Sequence, residues 1–331
     1  MTERSGIICA GHWIVDLVHE IDTWPDESDL TRIGQQTRGI GGGAANVLAA
    51  LVKLDTGLPL WPMGAIGDDD YGAFILEQCR ALGLPTSQLA VKQGIATAHT
   101  HVMSVPGRSR TFFYQGGSND ALGADDFPAG TFRHTNAHLF YLGYLTLLAG
   151  LDRIGADGRT EAARVLERAQ AAGLLTAVDL VSVQHPQFRE IVSAAAPFVD
   201  YLIMNEVEAS RITAMAVDPN TLTEPATLSE MGREFLGLGV GKAVVIHCAD
   251  LAVWSGADGT ELVSHVEPLP ASEIVSHLGA GDAFCAGLLY AVHEGWAPGR
   301  ALGLAKAVSR VSLKGVTAAE SIPPLSAFDI P

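Results

Sequence analysis

The stretch Leu278-Gly279-Ala280-Gly281-Asp282-Ala283-Phe284 places two glycines and an acid directly before an apolar run that continues to Val292. This order predicts a tight turn leading into a helix, because glycine allows backbone angles that a side chain forbids. The first N–H groups of a helix have no partner within it and carry partial positive charge. The turn is therefore a candidate site for an anion such as phosphate.

Asp282 stands beside this candidate anion site, where its carboxylate would repel a phosphate. A carboxylate there makes chemical sense as a general base, which takes the proton from a hydroxyl that attacks phosphorus. The alternative is an ordinary helix start, in which an acid in the first turn only suits the helix dipole. A short glycine-rich string does not decide between these interpretations.

The composition is that of a soluble globular protein. Of the 331 residues, 48% are hydrophobic and 18% are charged, and the formal net charge is −16. Because the chain has no basic run, we expect neither nucleic acid nor a membrane surface as a partner. No apolar stretch is long enough to span a membrane. An acidic chain that handles phosphates must concentrate positive potential locally, through helix ends or a bound cation.

The cysteines and the first residues predict a cytoplasmic protein. Four cysteines lie in or beside apolar sequence and form no C-x-x-C pair: Cys9, Cys79, Cys248 and Cys285. This usage favours free thiols in a reducing compartment. The first six residues precede no apolar core of the kind that marks a signal peptide.

A second glycine turn, GGGAAN at 41–46, opens another apolar helix. Asn46 would point back toward the glycines and could hydrogen-bond a polar ligand there. Residues 39–44 also fit G-x-G-x-x-A, but the polar residues 35–38 before them are not a buried strand, so the dinucleotide interpretation is discounted. Asp16 follows the apolar first strand, where open α/β sheets bind ligands; the alternative is an ordinary loop acid.

Strand-like and helical segments alternate along the chain and predict a mainly parallel sheet covered on both faces. From residue 138 the predicted strands are 138–143, 174–180, 201–204 and 243–247, followed by an antiparallel pair at 251–254 and 261–266. Two helices, at about 281–294 and 299–313, follow the pair. Earlier in the chain, 100–104 and 110–114 predict a β-hairpin, which is a candidate lid over a site.

The order of these motifs resembles the PfkB family of carbohydrate kinases, which share the ribokinase-like fold. The matching strings are GGAANVLA at 42–49, GAIGDD at 64–69 with Gly72 behind it, GSN at 117–119, NEVE at 205–208 and GAGDAF at 279–284. The resemblance covers about residues 7–315. It implies one domain over 1–331, a three-layer α/β/α sandwich with a mainly parallel central sheet and a β lid formed by about 12–40 and 97–115.

The resemblance also implies an activity, the transfer of the ATP γ-phosphate to a hydroxyl of a sugar or sugar-like substrate. Asp282 would be the general base, and the backbone of Gly279, Ala280 and Gly281 would form the anion hole. Asn205 and Glu208 would hold Mg²⁺ through waters. The remaining implied contacts are to substrate hydroxyls, by Asp16, Gly42, Gly43 and Asn46, and to the nucleotide, by His247 and Cys248.

Two departures from the family pattern stand out. Ser276-His277-Leu278 replaces a segment that usually contains an acid, so we expect potassium to bind weakly. Cys248 and Leu251 stand where the family tends to carry glycines around the nucleotide. The alternative function is therefore a non-catalytic binding or regulatory protein on the same fold.

The exposed edges of the predicted lid would be hidden by pairing with a second copy, which favours a homodimer.

Overall fold

The computed structural model describes residues 4–108, 110–217 and 224–330. The strands are β1 Ile7–Gly11, β2 Ile14–Ile21, β3 Ile33–Gly41, β4 Leu60–Gly67, β5 Leu89–Lys92, β6 His99–Ser104, β7 Thr111–Gln115, β8 Leu139–Leu145, β9 Leu175–Leu180, β10 Tyr201–Asn205, β11 Ala243–His247, β12 Leu251–Gly256 and β13 Glu261–His265. The helices are α1 Gly43–Lys53, α2 Asp70–Ala81, α3 Gly117–Asp120, α4 Ala129–His134, α5 Ala149–Asp152, α6 Glu161–Ala171, α7 Phe188–Ala195, α8 Glu206–Thr213, α9 Pro225–Gly237, α10 Ala280–His293 and α11 Pro298–Ser312.

The large sheet has the order β13-β12-β11-β10-β9-β8-β1-β4-β5. Strands β11 to β5 in this order are parallel, and β12 and β13 add the predicted antiparallel pair at one edge. The chain runs outward in both directions from β1, whose neighbours are β4 and β8. In open α/β sheets such a reversal leaves a crevice at the carboxyl ends of the strands, where ligands bind.

Apolar residues cover both faces of this sheet, which confirms the predicted three layers. On β1, Ile7 and Cys9 pack into the cluster formed with α1, α2, α10 and α11, whereas Ile8 and Ala10 pack into the cluster formed with α6, α7 and α9. The alternation follows from the two-residue period of a strand.

The cysteines are free thiols. Among the described residues, none of the helices is both long and apolar enough to cross a bilayer.

A second sheet, here called the small sheet, has the order β3-β2-β6-β7. The predicted hairpin is present as β6 and β7, and β2 joins it by parallel pairing with β6. The polar residues 35–38, which do not read as a buried strand in the sequence, lie in β3, an edge strand whose side chains are mostly exposed. Its side chains follow no apolar alternation, so only its backbone pairing with β2 makes it a strand.

Trp13 fixes the point where the chain leaves the large sheet for the small one. Its indole is fully buried, and Nε1 donates to the Met63 carbonyl at 2.9 Å. The buried side chain of Asn119 binds the Trp13 backbone twice: Oδ1 accepts from the N–H at 3.2 Å, and Nδ2 donates to the carbonyl at 3.0 Å. At Gly64 a Cβ would lie 2.5 Å from the Trp13 ring, so only glycine fits there.

Replacing Asn119 with alanine removes both bonds and leaves buried backbone groups unpaired. We expect the free energy of unfolding to fall by about 2–4 kcal/mol, measured by urea denaturation at an unchanged slope. Gln93→Ala removes an amide that is exposed, and it should change the free energy by no more than about 0.5 kcal/mol. Equal losses in the two variants would show that Asn119 does not fix this junction.

Candidate active site

Asn46 and Asp282, which are 236 residues apart in sequence, meet at the carboxyl edge of the large sheet. Helix α1 supplies Asn46 from its first turn, and α10 supplies Asp282 from its first turn. The two helices pack against each other beside β1. Asn46 Nδ2 donates to Asp282 Oδ2 at 2.8 Å, so both predicted site residues face one point.

Asp282 is buried, and burial raises the pKa of its carboxyl group to about 7. The hydrogen bonds from Asn46 and Tyr144 oppose this shift because they stabilise the carboxylate, while the charges of Glu208 and Asp16 add to it. Both hydrogen bonds end on Oδ2. Oδ1 accepts no hydrogen bond from the part of the chain that the structure describes, so it remains available to a ligand.

Tyr144 is a residue of the candidate site that the sequence did not indicate. It lies near the end of β8 with φ +64°, a left-handed conformation that costs a non-glycine residue free energy. Its backbone N–H donates to Asp179 Oδ1 at 2.7 Å, and its hydroxyl donates to Asp282 Oδ2 at 3.0 Å. A Cβ at Gly43 would lie 2.5 Å from the Tyr144 ring, so the glycine makes room for this side chain.

A cavity of about 240 Å³ opens in front of these groups, and buried carboxyl groups line it. They belong to Asp179, Glu208 and Asp282. Burial raises the pKa of Asp179 well above its usual range, and the charge of Asp282 adds to the shift. The backbone of residues 279–281 forms another wall of the cavity. A phosphate can therefore enter only where helix N–H groups or a cation offset the acids.

The predicted turn into a helix is present, and its two glycines have different reasons to be glycine. Gly279 has φ +74° at the N-cap of α10, and a Cβ there would lie 2.1 Å from the Ala318 Cβ. The fold therefore requires Gly279. A Cβ at Gly281 would find its nearest neighbour, His247 Cε1, at 3.7 Å, which is an ordinary contact. The fold therefore leaves the space beside Gly281 open. Such open space is expected where a ligand approaches the backbone closely.

Asn205 and Glu208 form a capping box at the start of α8. Asn205 Oδ1 accepts from the Glu208 N–H at 2.8 Å, and Glu208 Oε2 accepts from the Asn205 N–H at 2.9 Å. Ser182, which the sequence did not indicate, donates from Oγ to Glu208 Oε1 at 2.8 Å. The carboxylate is thus held in place at the rim of the acidic cavity by bonds to both of its oxygens.

A second cavity, of about 310 Å³, lies on the other side of Gly281. His247 and Cys248, the residues predicted to contact a nucleotide, line it together with Phe284 of α10 and Lys306 and Arg310 of α11. The rings of His247 and Phe284 pack with centroids 4.6 Å apart. Burial lowers the pKa of His247 to about 4, so its ring is neutral near pH 7.

The turn from β11 to β12 explains how Cys248 and Leu251 can replace glycine. The Cys248 N–H donates to the Leu251 carbonyl at 2.9 Å, which closes the turn. Neither residue has a positive φ, so neither position requires glycine for its backbone conformation. Both side chains line the second cavity without filling it.

The other departure from the family pattern is the segment 276–278. There the buried Ser276 hydroxyl accepts from the Leu278 N–H at 3.1 Å.

Asp16 and Gly42 lie near the Asp282 carboxyl group, on the side of the small sheet. Asp16 lies on β2, half-buried, and burial raises the pKa of its carboxyl group to about 6, with the charge of Arg110 opposing the shift. Gly42 has φ +94°, and a Cβ there would lie 2.5 Å from the His12 carbonyl oxygen. The residues predicted to bind the substrate therefore lie in one region: Asp16, Gly42, Gly43 and Asn46. His247 and Cys248, predicted to contact a nucleotide, lie in the second cavity, on the other side of Gly281.

A large, mainly parallel sheet with a second, small sheet is the architecture of the ribokinase-like fold. The Arabidopsis thaliana ribokinase complexed with ribose and ATP aligns with a TM-score of 0.77 at 22% identity, over 98% of this chain and 97% of that one. The Thermotoga maritima ribokinase aligns with a TM-score of 0.77 at 18% identity, over 97% of each chain. The predicted ribokinase-like fold is therefore confirmed.

The sequence comparison is more specific. The family model described as pfkB family carbohydrate kinase matches residues 4–324, and the chain belongs to this family of sugar kinases. The ATP-dependent ribose-1-phosphate kinase of Halopiger xanaduensis is 25% identical over 288 residues, which are 86% of this chain and 83% of that protein. The 5-dehydro-2-deoxygluconokinase of Geobacillus thermodenitrificans is 23% identical over 331 residues, 97% of this chain and 91% of that protein.

The buried carboxyl group of Asp282 should make stability depend on pH. Folding raises its pKa from 3.8 to about 7, so its contribution to stability is complete below the unfolded pKa and is lost as pH rises through the folded pKa. Asparagine carries no charge at any of these values. We therefore expect Asp282→Asn to unfold with a free energy about 2–4 kcal/mol above that of the unmodified protein at pH 8, and with a smaller gain at pH 5.

Urea denaturation at the two pH values measures this difference. Asp125→Asn, which removes an exposed carboxylate, is the matched control and should show no comparable gain at pH 8. A gain for Asp282→Asn that is the same at both pH values would mean that Asp282 stays ionised in the folded protein.

Proposed function

We propose that this kinase transfers the γ-phosphoryl group of ATP to a hydroxyl of a sugar or sugar-like compound, with Asp282 as the general base. The proposal depends chiefly on the carboxylate of Asp282. Two donors hold Oδ2, no donor among the described residues binds Oδ1, and the pKa of about 7 is that of an effective base near neutral pH. The names of the relatives support the choice of donor, because one is an ATP-dependent kinase and one solved ribokinase contains ATP.

The proposed reaction divides the site at Gly281. The nucleotide would occupy the cavity of His247 and Cys248, and its γ-phosphate would reach the N–H groups of Gly279, Ala280 and Gly281 at the start of α10. Helix N-terminal N–H groups stabilise the negative charge of a transferring phosphoryl group without reorganising. The acceptor hydroxyl would lie at Asp282 Oδ1, which takes its proton as the bond to phosphorus forms.

We place the sugar between the two sheets. Asp16 and Asn46 would bind its hydroxyls, and the backbone of Gly42 and Gly43 would contact the ring on the side away from His12 and Tyr144. Because Asp16 lies on β2, the small sheet would cover the bound sugar and act as the predicted lid, formed by about residues 12–40 and 97–115. Covering the site would exclude water, which otherwise competes as an acceptor.

Mg²⁺ fits this site if it is held through waters. Asn205 and Glu208 are the proposed ligands, yet their oxygens already serve the capping box. In the described ranges, the His, Cys, Asp and Glu side chains form no group of three or more that could hold a metal ion. Mg²⁺ keeps several of its waters and takes phosphate oxygens as ligands, so two residues at the rim suffice. The ion would neutralise phosphate charge beside the acidic cavity.

Assays of ATP consumption with sugars, sugar acids and nucleosides test the activity. We expect Asp282→Asn to lower kcat about 10²- to 10⁴-fold, the usual effect of losing a general base, although the variant should be folded. Near-full activity would remove Asp282 from the mechanism. A protein that is stabilised by ATP and a sugar but turns over neither would instead be the non-catalytic binding protein named as the alternative.

Gly281→Ala tests the anion hole in the same assay. The added methyl group has room within the protein but would occupy the position of the phosphoryl group, and a displacement of about 1 Å can cost 10²-fold in rate. Gly303→Ala is the matched control, because it also lies within a helix and its Cβ would meet Ile330 at 3.5 Å. Both variants should fold, and only Gly281→Ala should lose activity. Equal activities would argue against the anion hole.

We further propose that two copies pair through their small sheets. Both edge strands, β3 and β7, are exposed, and large apolar side chains there and in the β2–β3 connection face solvent: Trp24, Leu30, Ile33, Phe112, Phe113 and Tyr114. A monomer rarely leaves sheet edges and apolar side chains uncovered together. A second copy would cover both.

Sedimentation velocity at micromolar concentration should therefore show a dimer. Leu30→Asp should shift it toward the monomer without loss of stability, because Leu30 is 92% exposed and makes little contact within one copy. Val263→Asp on β13, another exposed edge strand, should leave the dimer intact. A monomeric unmodified protein, or equal effects of the two variants, would refute pairing through the small sheet.

A further inference from the structure

We infer that the acceptor of this kinase carries a negatively charged group, a carboxylate or a phosphate ester, and that Arg110 binds this group. The inference depends on the proposed function, since it concerns the sugar that lies between the two sheets. It starts from a third cavity, of about 490 Å³, between the small sheet and the segment before α10. Arg108, Arg110 and Phe112 line it on one side, and residues 275–279 line it on the other.

This third cavity and the acidic cavity share His277 and Gly279 in their linings, so both border the turn before α10. Arg110 therefore stands on the small-sheet side of the anion hole. On that side its charge also acts on Asp16, the proposed ligand of a sugar hydroxyl. A sugar with one hydroxyl at Asp282 and another at Asp16 would thus have Arg110 within the same binding region.

Arg110 is half-buried, and within the described ranges its guanidinium group makes neither a hydrogen bond nor an ion pair, although its charge acts on Asp16 at a longer range. Removing a cation partly from water without giving it a partner costs free energy. Its planar group of N–H donors matches the paired oxygens of a carboxylate or a phosphate. An anionic group on the acceptor would supply the missing partner, whereas a neutral sugar would offer only hydroxyls.

The cations beside the nucleotide cavity are arranged differently. Lys306 donates to the His265 carbonyl at 2.5 Å, and Arg310 donates from Nε to the Glu267 carbonyl at 3.0 Å. These two are held by backbone groups on the far side of Gly281. Arg110 is separated from them by the start of α10. We therefore assign it to the acceptor and not to the nucleotide.

Matched sets of pentoses and hexoses test the inference, each set consisting of an aldose, its aldonate and its monophosphate. We expect the unmodified protein to prefer an anionic member, and the preferred member shows whether the group is a carboxylate or a phosphate. Arg110→Gln should lower kcat/KM for that member about 10- to 150-fold, the range for hydrogen bonds between charged groups, and mainly through KM. The same variant should change kcat/KM for the neutral aldose less than threefold, by the same reasoning.

Arg133→Gln, which removes an exposed arginine on α4, should leave every rate unchanged. If Arg110→Gln lowered kcat equally for neutral and anionic acceptors, Arg110 would act on the transferring phosphoryl group and the inference would be wrong. A preference for neutral aldoses would also overturn it. If no compound were phosphorylated, the proposed function would fail. Thermal shifts would still show whether Arg110 binds an anionic group of a sugar. Aldonates or monophosphates should then stabilise the unmodified protein but not Arg110→Gln, and no difference between the two would overturn the inference.

Discussion

Two hydrogen bonds to one carboxylate oxygen join the parts of this molecule that must act together. Asn46 from α1 and Tyr144 from the end of β8 both donate to Oδ2 of Asp282 on α10. A buried carboxyl group requires such partners, because its charged form is otherwise costly away from water. The contact therefore fixes two helix starts relative to the central strands. The turn at Gly279, the open space at Gly281 and the acidic cavity all adjoin this contact.

Much of the fold could be predicted from the sequence, because buried strands and amphipathic helices have distinct periods. The glycine turns before α1 and α10 also marked two helix starts correctly. Tyr144 could not be found in this way, since it lies in an apolar run and its left-handed backbone conformation has no glycine to signal it. Strand β3 was missed for a related reason: its exposed side chains show no alternation, and only pairing with β2 defines it.

The distances within the site could not be predicted either. Asn46 and Asp282 each had a sequence signal of their own, but their contact depends on how β1 is placed between β4 and β8. The different roles of the two glycines in the turn before α10 could not be predicted from the sequence either. The string Gly-Ala-Gly does not say which glycine is required by the fold, whereas the contact of Gly279 with Ala318 and the open space beside Gly281 do.

The division of the site between two sheets separates two tasks. Asp282 and the start of α10 belong to the large sheet and its helices, while Asp16 lies on the small sheet and Arg110 lies between its strands β6 and β7. Under the proposed roles, substitutions in the small sheet would change which compound is accepted without moving Asp282 or the start of α10. Under these roles, an ancestral kinase of this architecture could diversify its acceptors through substitutions on β2 and in the connection from β6 to β7. Under the proposed pairing of two copies, sequence drift in that sheet would be limited mainly by the exposed apolar side chains that form the pairing surface.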